Sequence, residues 1–262
     1  GYSMVGEVVE VGSDVHDFRV GDRVFCDGTH KEYAVSPARD TLKLPDEVTD
    51  EQGVFLNILG VGQLGLRHGE PNPGENVAIV GLGVIGLSAI AFCSAFGFRT
   101  VGIDYSESRR DVADAMRADL VIDPADDGFT ERVIEFFDGR GADLVLETAS
   151  VWPAIQTSLE IVRQDGNVVV VARHTDSPTF NLVGHPYMTT RYTLRASLGY
   201  RPNELRWNRM NSMKLTARLI ANGSLPVDPM ITHEFGWTEL PDIYARLDEG
   251  DSDILGAVVR WR

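Results

Sequence analysis

Cysteine is almost absent from this chain of 262 residues: Cys26 and Cys93 are the only two. That excludes a disulfide framework, a Cys-x-x-Cys pair and a four-thiolate zinc lobe, and it fits a reducing, cytoplasmic setting. Lysine is nearly as scarce, with only Lys31, Lys43 and Lys214. No apolar run approaches the ~20 residues needed to span a bilayer. A basic leader followed by an apolar core is also missing from the start. The chain opens at Gly1 without a Met, which fits a fragment, a processed chain or the ordered part of a longer one.

What is abundant is acid. The formal net charge is −15 and hydrophobic residues make up 43%. An acidic surface repels phosphate backbones and anionic lipids, so neither nucleic acid nor membrane is expected as a partner. Asp outnumbers Glu, and arginine supplies nearly all the positive charge. Excess Asp with little Lys is expected of a halophilic protein, kept soluble in molar salt where self-repulsion is screened. A GC-rich genome would explain Arg over Lys, but not the −15.

The most informative stretch is Val77-Ala-Ile-Val-Gly81-Leu-Gly83-Val84-Ile85-Gly86, followed by Thr100-Val-Gly-Ile-Asp104. A short branched apolar run reads as a buried parallel strand, and Gly-x-Gly-x-x-Gly turns it into a helix. Gly81 permits the tight turn, Gly83 lets the backbone approach a pyrophosphate, and Gly86 lets helix and strand pack closely. The helix beginning at Val84 and Ile85 aims free N–H groups and its positive dipole end at that phosphate. Asp104, closing the second strand, is placed to accept hydrogen bonds from ribose hydroxyls. A glycine turn serving packing alone would leave that acid unexplained.

From Asn76 onward, strands are expected at 76–81, 99–104, 119–122, 142–147 and 167–172, with helices near 84–97, 107–117, 129–138 and 151–163. Such alternation predicts an α/β fold with a doubly wound parallel sheet, extended by a strand near 192–197. A helix over 203–222 and a tail of strand (231–235), helix (238–248) and strand (254–260) complete the chain. Before Asn76 the pattern is short strands at 4–11, 20–25, 32–36 and 41–44. A helix over 51–68 follows, with N-cap chemistry at Thr49 or Asp50.

These motifs, in this order, resemble the medium-chain dehydrogenase/reductase superfamily. Gly1-Tyr-Ser-Met-Val-Gly-Glu-Val-Val-Glu-Val-Gly12 is similar to its Gly-His-Glu-x-x-Gly-x-Val-x-x-Val-Gly segment. Val20-Gly-Asp-Arg-Val24, Lys43-Leu-Pro45, Gly81–Gly86, Gly166-Asn-Val-Val-Val-Val171 and Leu255-Gly-Ala-Val-Val259 match further landmarks. The resemblance implies a Rossmann domain at 56–224 and a partial GroES-like catalytic domain at 1–55, to which 225–262 returns. It also implies that an amino-terminal part of that domain, on the order of sixty residues, is absent from this sequence.

Zinc-dependent members use a His-Glu pair and a later Cys or Glu. Here those positions are Tyr2, Ser3 and Asn57. A phenol and an amide are poor zinc ligands, so the expectation is a zinc-free member of a Gly-Tyr-Ser subgroup. NAD is favoured over NADP because Asp104 repels a 2′-phosphate. Arg109 falls where NAD-using relatives place a ribose contact. Together Arg109 and Arg110 fit either a phosphate or a solvated helix start. By the same resemblance Thr148, Val171 and Ala172 line the dinucleotide track, and Ala196 to Leu198 contact the carboxamide.

Without zinc, the substrate oxygen needs hydrogen-bond donors or a proton source. Tyr2, Asn57 and His30 are the catalytic candidates, beside bland readings as a core cap, a helix-internal bond and an exposed turn. Ser3, Asp27, Lys31 and Gln63 are weaker candidates. His185 and Tyr187 suit a cleft or a subunit contact, whereas His16, His68, His174 and His233 read as surface. The leading expectation is an NAD-linked dehydrogenase of a small alcohol, polyol or sugar-like substrate. Alternatives are an NADPH-dependent quinone or enone reductase and a non-catalytic dinucleotide-binding module. Pairing into a homodimer or homotetramer around residues 190–200 is implied by the resemblance alone.

Overall fold

The structure is a computed structural model and describes residues 1–184, 187–200 and 206–261. The chain divides into two compact units, Gly1–Gly60 with Tyr200–Arg262 and Val61–Gly199. Tyr200 and residues 206–224, which the resemblance assigns to the dinucleotide-binding domain, cluster with the first unit.

In the first unit, β1 (Met4–Glu7), β2 (Arg23–Cys26) and β3 (Leu42–Lys43) form an antiparallel sheet in that order. The apolar side of β2 is buried, Phe25 completely. The strand expected at 32–36 does not form. Val35 is fully exposed and Tyr33 more than half so, leaving those side chains no apolar face to cover. Thr49 caps α1 (Asp50–Gly53) through a reciprocal box with Gln52. The single helix expected over 51–68 is therefore two. Val54 and Phe55 tighten the backbone, with the Phe55 amide bonding back to the Gln52 carbonyl, before α2 (Leu56–Gly69) begins.

In the second unit the chain alternates through β4 (Asn76–Val80), α3 (Val84–Phe96), β5 (Arg99–Ile103), α4 (Glu107–Ala115), β6 (Leu120–Ile122) and α5 (Phe129–Phe136). It continues through β7 (Ala142–Glu147), α6 (Trp152–Ile161), β8 (Val162–Val170), the short α7 (Tyr187–Thr190) and β9 (Thr193–Ala196). The strands form one parallel sheet in the order β6-β5-β4-β7-β8-β9. Strand order reverses between β4 and β7, and that reversal opens a crevice at the carboxyl ends of the strands. Being covered on both faces, the strands carry unbroken apolar runs: Val77, Ala78 and Ile79 are fully buried, as are Leu144, Val145 and Leu146. The fold class is the doubly wound α/β sheet read from the sequence. β8 starts five residues earlier than expected, directly from the end of α6.

The tail belongs to the first unit. Asn208 caps α8 (Arg209–Ala221) by accepting from the Asn211 amide. A parallel pair follows, β10 (Ile231–Gly236) with β11 (Gly256–Arg260), linked by α9 (Leu240–Asp248) and packed on Phe235, Ile243 and Ile254. Among the described residues, no helix is long and apolar enough to cross a membrane.

Candidate functional site

The glycine turn is fixed by sterics. Gly81 sits at φ +95°, the left-handed region that a side chain strains to enter. A Cβ at Gly86 would lie inside the van der Waals envelope of the Gly81 carbonyl oxygen and 2.9 Å from Thr148 Oγ1. Around Gly83 nothing lies within 4 Å of where a Cβ would be, so the backbone is open to a ligand there. Gly83 is the N-cap of α3, and the first N–H groups of that helix, from Val84 and Ile85 on, have no intrahelical acceptor. Open backbone, free donors and a dipole end suit a pyrophosphate.

Asp104 anchors this turn. Its Oδ2 accepts from the Leu82 amide at 2.7 Å and its Oδ1 from the Ser106 amide at 2.9 Å. An ionised carboxylate has about four lone-pair sites, so acceptor capacity for ribose hydroxyls remains. Arg109 Nη1 lies 3.6 Å from Asp104 Oδ2, and its Nε is buried with no hydrogen-bond partner. That orphaned donor beside the acid is a second feature fitting a ribose-bearing ligand. Arg110 is different: its Nη1 is held by the carbonyls of Asp104 and Tyr105 and by Asp123 Oδ2, so it is structural.

Thr148 Oγ1 donates to the Gly81 carbonyl at 2.6 Å and ties the end of β7 to the turn. Val171 and Ala172 bond back to the Glu147 carbonyl through their amides. Ala196 ends β9, and Leu198 is almost wholly exposed.

Two histidines read as surface are not. His68 is buried, with Nδ1 2.8 Å from Ser197 Oγ, because the polar end of α2 turns inward. His174 is nine-tenths buried, its Nε2 2.8 Å from Oε2 of a fully buried Glu147. Its Nδ1 has no partner. The other Glu147 oxygen accepts from the amides of Ala149 and Ser150. His16 is exposed as expected, and His233 is half-buried on β10. Gln63, a weaker candidate, is fully buried with both amide atoms unpartnered. Tyr187 packs its ring against Tyr192, and His185 lies outside the described residues.

The first unit holds its own cleft of about 480 Å³, lined by Tyr2, Asp27, Gly28, Thr29, Lys31, Asn57 and Arg209. Two of the three catalytic candidates, Tyr2 and Asn57, meet here. His30 does not line it: Nε2 is 3.0 Å from the Tyr244 hydroxyl, and burial lowers its pKa from the ordinary value. Asp27 Oδ1 is the common acceptor for the Arg209 Nη2 donor and for Asn57 Nδ2 at 3.4 Å. Sequence reasoning missed Arg209, which no local motif marks. It opens α8, far along the chain from Asp27.

Among the described residues, no three His, Cys, Asp or Glu side chains converge to hold a metal ion. Cys26 is buried, its thiol pushed up by burial, and burial drives Cys93 to about 12. Neither supplies a ready thiolate. The phenol, amide and single carboxylate of the cleft do not fit zinc.

The family model for zinc-binding dehydrogenases matches residues 84–213, and that for the alcohol dehydrogenase GroES-like domain matches residues 1–46. Relatives include the L-threonine 3-dehydrogenase of Pyrococcus horikoshii, 28% identical over 90% of this chain and 74% of that protein. The D-guloside 3-dehydrogenase of Shigella flexneri is 28% identical over 93% and 72%. Among solved structures, the 2R,3R-butanediol dehydrogenase of Bacillus subtilis superposes with a TM-score of 0.83 at 22% identity, covering 98% of this chain and 79% of that one. An alcohol dehydrogenase from Escherichia coli complexed with NADH gives 0.83 at 19%, covering 98% and 82%. A dehydrogenase from Sinorhizobium meliloti bound to NADP gives 0.78 at 22%, covering 91% and 77%. At these identities the superpositions establish a shared fold.

Proposed function

We infer, from the support both family models give to membership of the medium-chain, zinc-type alcohol dehydrogenase-like superfamily, that this chain is an oxidoreductase of alcohol-like substrates. The finer reading is an NAD-preferring, zinc-independent dehydrogenase of a small alcohol, polyol or sugar-like compound. The observation that carries it is Asp104 at the glycine turn: the carboxylate favours free ribose hydroxyls and disfavours a 2′-phosphate.

The residues that would hold the dinucleotide are Gly81, Gly83 and Gly86 with the first N–H groups of α3, then Asp104 and Arg109. A nicotinamide dinucleotide bound there supplies the hydride chemistry. In the cleft, Tyr2 and Asn57 have the groups to manage charge on the substrate oxygen, a phenol that exchanges a proton and an amide that donates. The donors of the cleft do not fit a metal.

Incubating the full chain with NAD⁺ or NADP⁺ and a panel of alcohols and polyols tests this directly. The expected result is NAD⁺ reduction that persists after exhaustive chelation. Loss of activity on chelation, restored by added zinc, would overturn zinc independence. Absence of reduction with every alcohol would overturn the oxidoreductase reading.

Asp104→Ala separates the cofactors. It removes the ribose acceptor and the repulsion of a 2′-phosphate together. Because the bonds to the Leu82 and Ser106 amides are lost as well, the turn loosens for both cofactors, and the expected result is an NADH loss at least about tenfold larger than the NADPH loss. Titration by nicotinamide fluorescence reads both, and equal losses would refute the assigned role.

A further inference from the structure

We propose that the cleft of the first unit selects substrates bearing an anionic substituent, a carboxylate or a phosphate ester, with Lys31 and Arg209 as its anchors. This rests on the oxidoreductase reading above only for the fate of the substrate, not for its binding.

The charge balance of the cleft is opposite to that of the chain. The protein carries −15 overall and three lysines in all, yet one of those lysines and an arginine line a cleft with a single acid. Many cations elsewhere are tied down: Lys43 pairs with Asp22, Arg23 with Asp50, Arg110 with Asp123, Arg163 with Asp143, and Arg191 with Asp165. Lys31 has no ion pair or hydrogen bond among the described residues. Arg209 is bonded to Asp27 through Nη2, leaving most of its five donors unused.

Asp27 does not cancel both charges. Its Oδ1 already receives the Arg209 guanidinium and the Asn57 amide, so its negative charge is committed to fixed partners. One positive charge remains uncompensated, on a flexible ammonium beside a half-used planar fork. Guanidinium and ammonium together suit the oxygens of a carboxylate or phosphate. A cationic ligand would be repelled. A neutral polyol would fit the space but leave both cations hydrated and unrewarded. The need for such a pocket follows from the surface around it, because an anion approaching a strongly acidic protein is repelled at long range and must be held by local contacts. A cleft of about 480 Å³ takes a six-carbon compound with its charged end.

Isothermal titration of the full chain with sorbitol, gluconate and sorbitol 6-phosphate, with and without NADH, tests the proposal without requiring turnover. Gluconate, sorbitol 6-phosphate or both are expected to bind at least about tenfold more tightly than sorbitol. Which of the two is preferred distinguishes a carboxylate from a phosphate-ester specificity. Lys31→Gln, a change at an exposed position, is expected to cut the anionic-to-neutral preference about tenfold. Lys214→Gln removes the same charge from an exposed site on α8 outside the cleft, and it should leave the preference intact. Equal affinity for all three compounds, no binding of any, or an undiminished preference in Lys31→Gln would overturn the proposal. Turnover of neutral polyols with no anionic preference would sink this inference and leave the oxidoreductase standing. Anion binding without hydride transfer to any substrate would do the reverse.

Discussion

Gly86→Ala is expected to abolish measurable dinucleotide binding and to destabilise the Val61–Gly199 unit by about 2–3 kcal/mol. The added methyl collides with the Gly81 carbonyl oxygen, which is backbone, and with Thr148 Oγ1, which is itself bonded to that carbonyl. The carbonyl cannot swing away as a side-chain tip would, and Thr148 can do so only by giving up its bond to that carbonyl. Helix α3 must therefore move off the turn, taking its N–H groups from where the phosphate needs them. Gly83→Ala is the informative contrast. Its φ of −68° is ordinary for any residue, and its Cβ would meet nothing. That variant should unfold at the wild-type denaturant midpoint yet bind NADH at least about tenfold more weakly, because the methyl occupies the approach path of the pyrophosphate. Paired denaturant melts and NADH titrations read the difference. A Gly86→Ala protein with wild-type binding would show that the helix is free to relax.

The second unit was legible because its signals are contiguous. Strand, glycine turn, helix and acid lie within Val77 to Asp104, and each element announces itself by local pattern. The cleft of the first unit is assembled from positions 2, 27, 57 and 209, which only the folded chain brings together. Tyr2 and Asn57 were found because family landmarks flank them. Arg209 sits at an ordinary helix start, where a basic residue signals nothing. The segment at 32–36 failed for a related reason: Tyr33, Ala34 and Val35 have the composition of a strand, but composition does not supply a face to bury. The break at Val54 and Phe55 was hidden because both flanking segments carry helical pattern.

The buried pair of Glu147 and His174 was invisible for the opposite reason, since Arg173-His174-Thr175-Asp176 reads as a polar surface loop. Its removal should have a large effect. Glu147 is wholly buried and receives three donors or partners, the amides of Ala149 and Ser150 and the His174 ring. Glu147→Ala strips all three at once, and each buried polar group left unsatisfied costs about 1–3 kcal/mol. A loss of roughly 3–5 kcal/mol is expected. Glu147→Gln separates hydrogen bonding from charge. Both amides bond one oxygen, which the glutamine carbonyl can replace, while its NH₂ can donate to a neutral His174 Nε2. Glutamine should therefore recover most of the stability that alanine loses. The effect reaches the nucleotide turn, because Thr148 follows Glu147 directly and its hydroxyl holds the Gly81 carbonyl. Glu147→Ala should accordingly weaken NADH binding as well as lower the unfolding midpoint, with glutamine restoring both. If glutamine proves as damaging as alanine, the negative charge itself holds His174 in place; if alanine is tolerated, water fills the gap and the pair is dispensable.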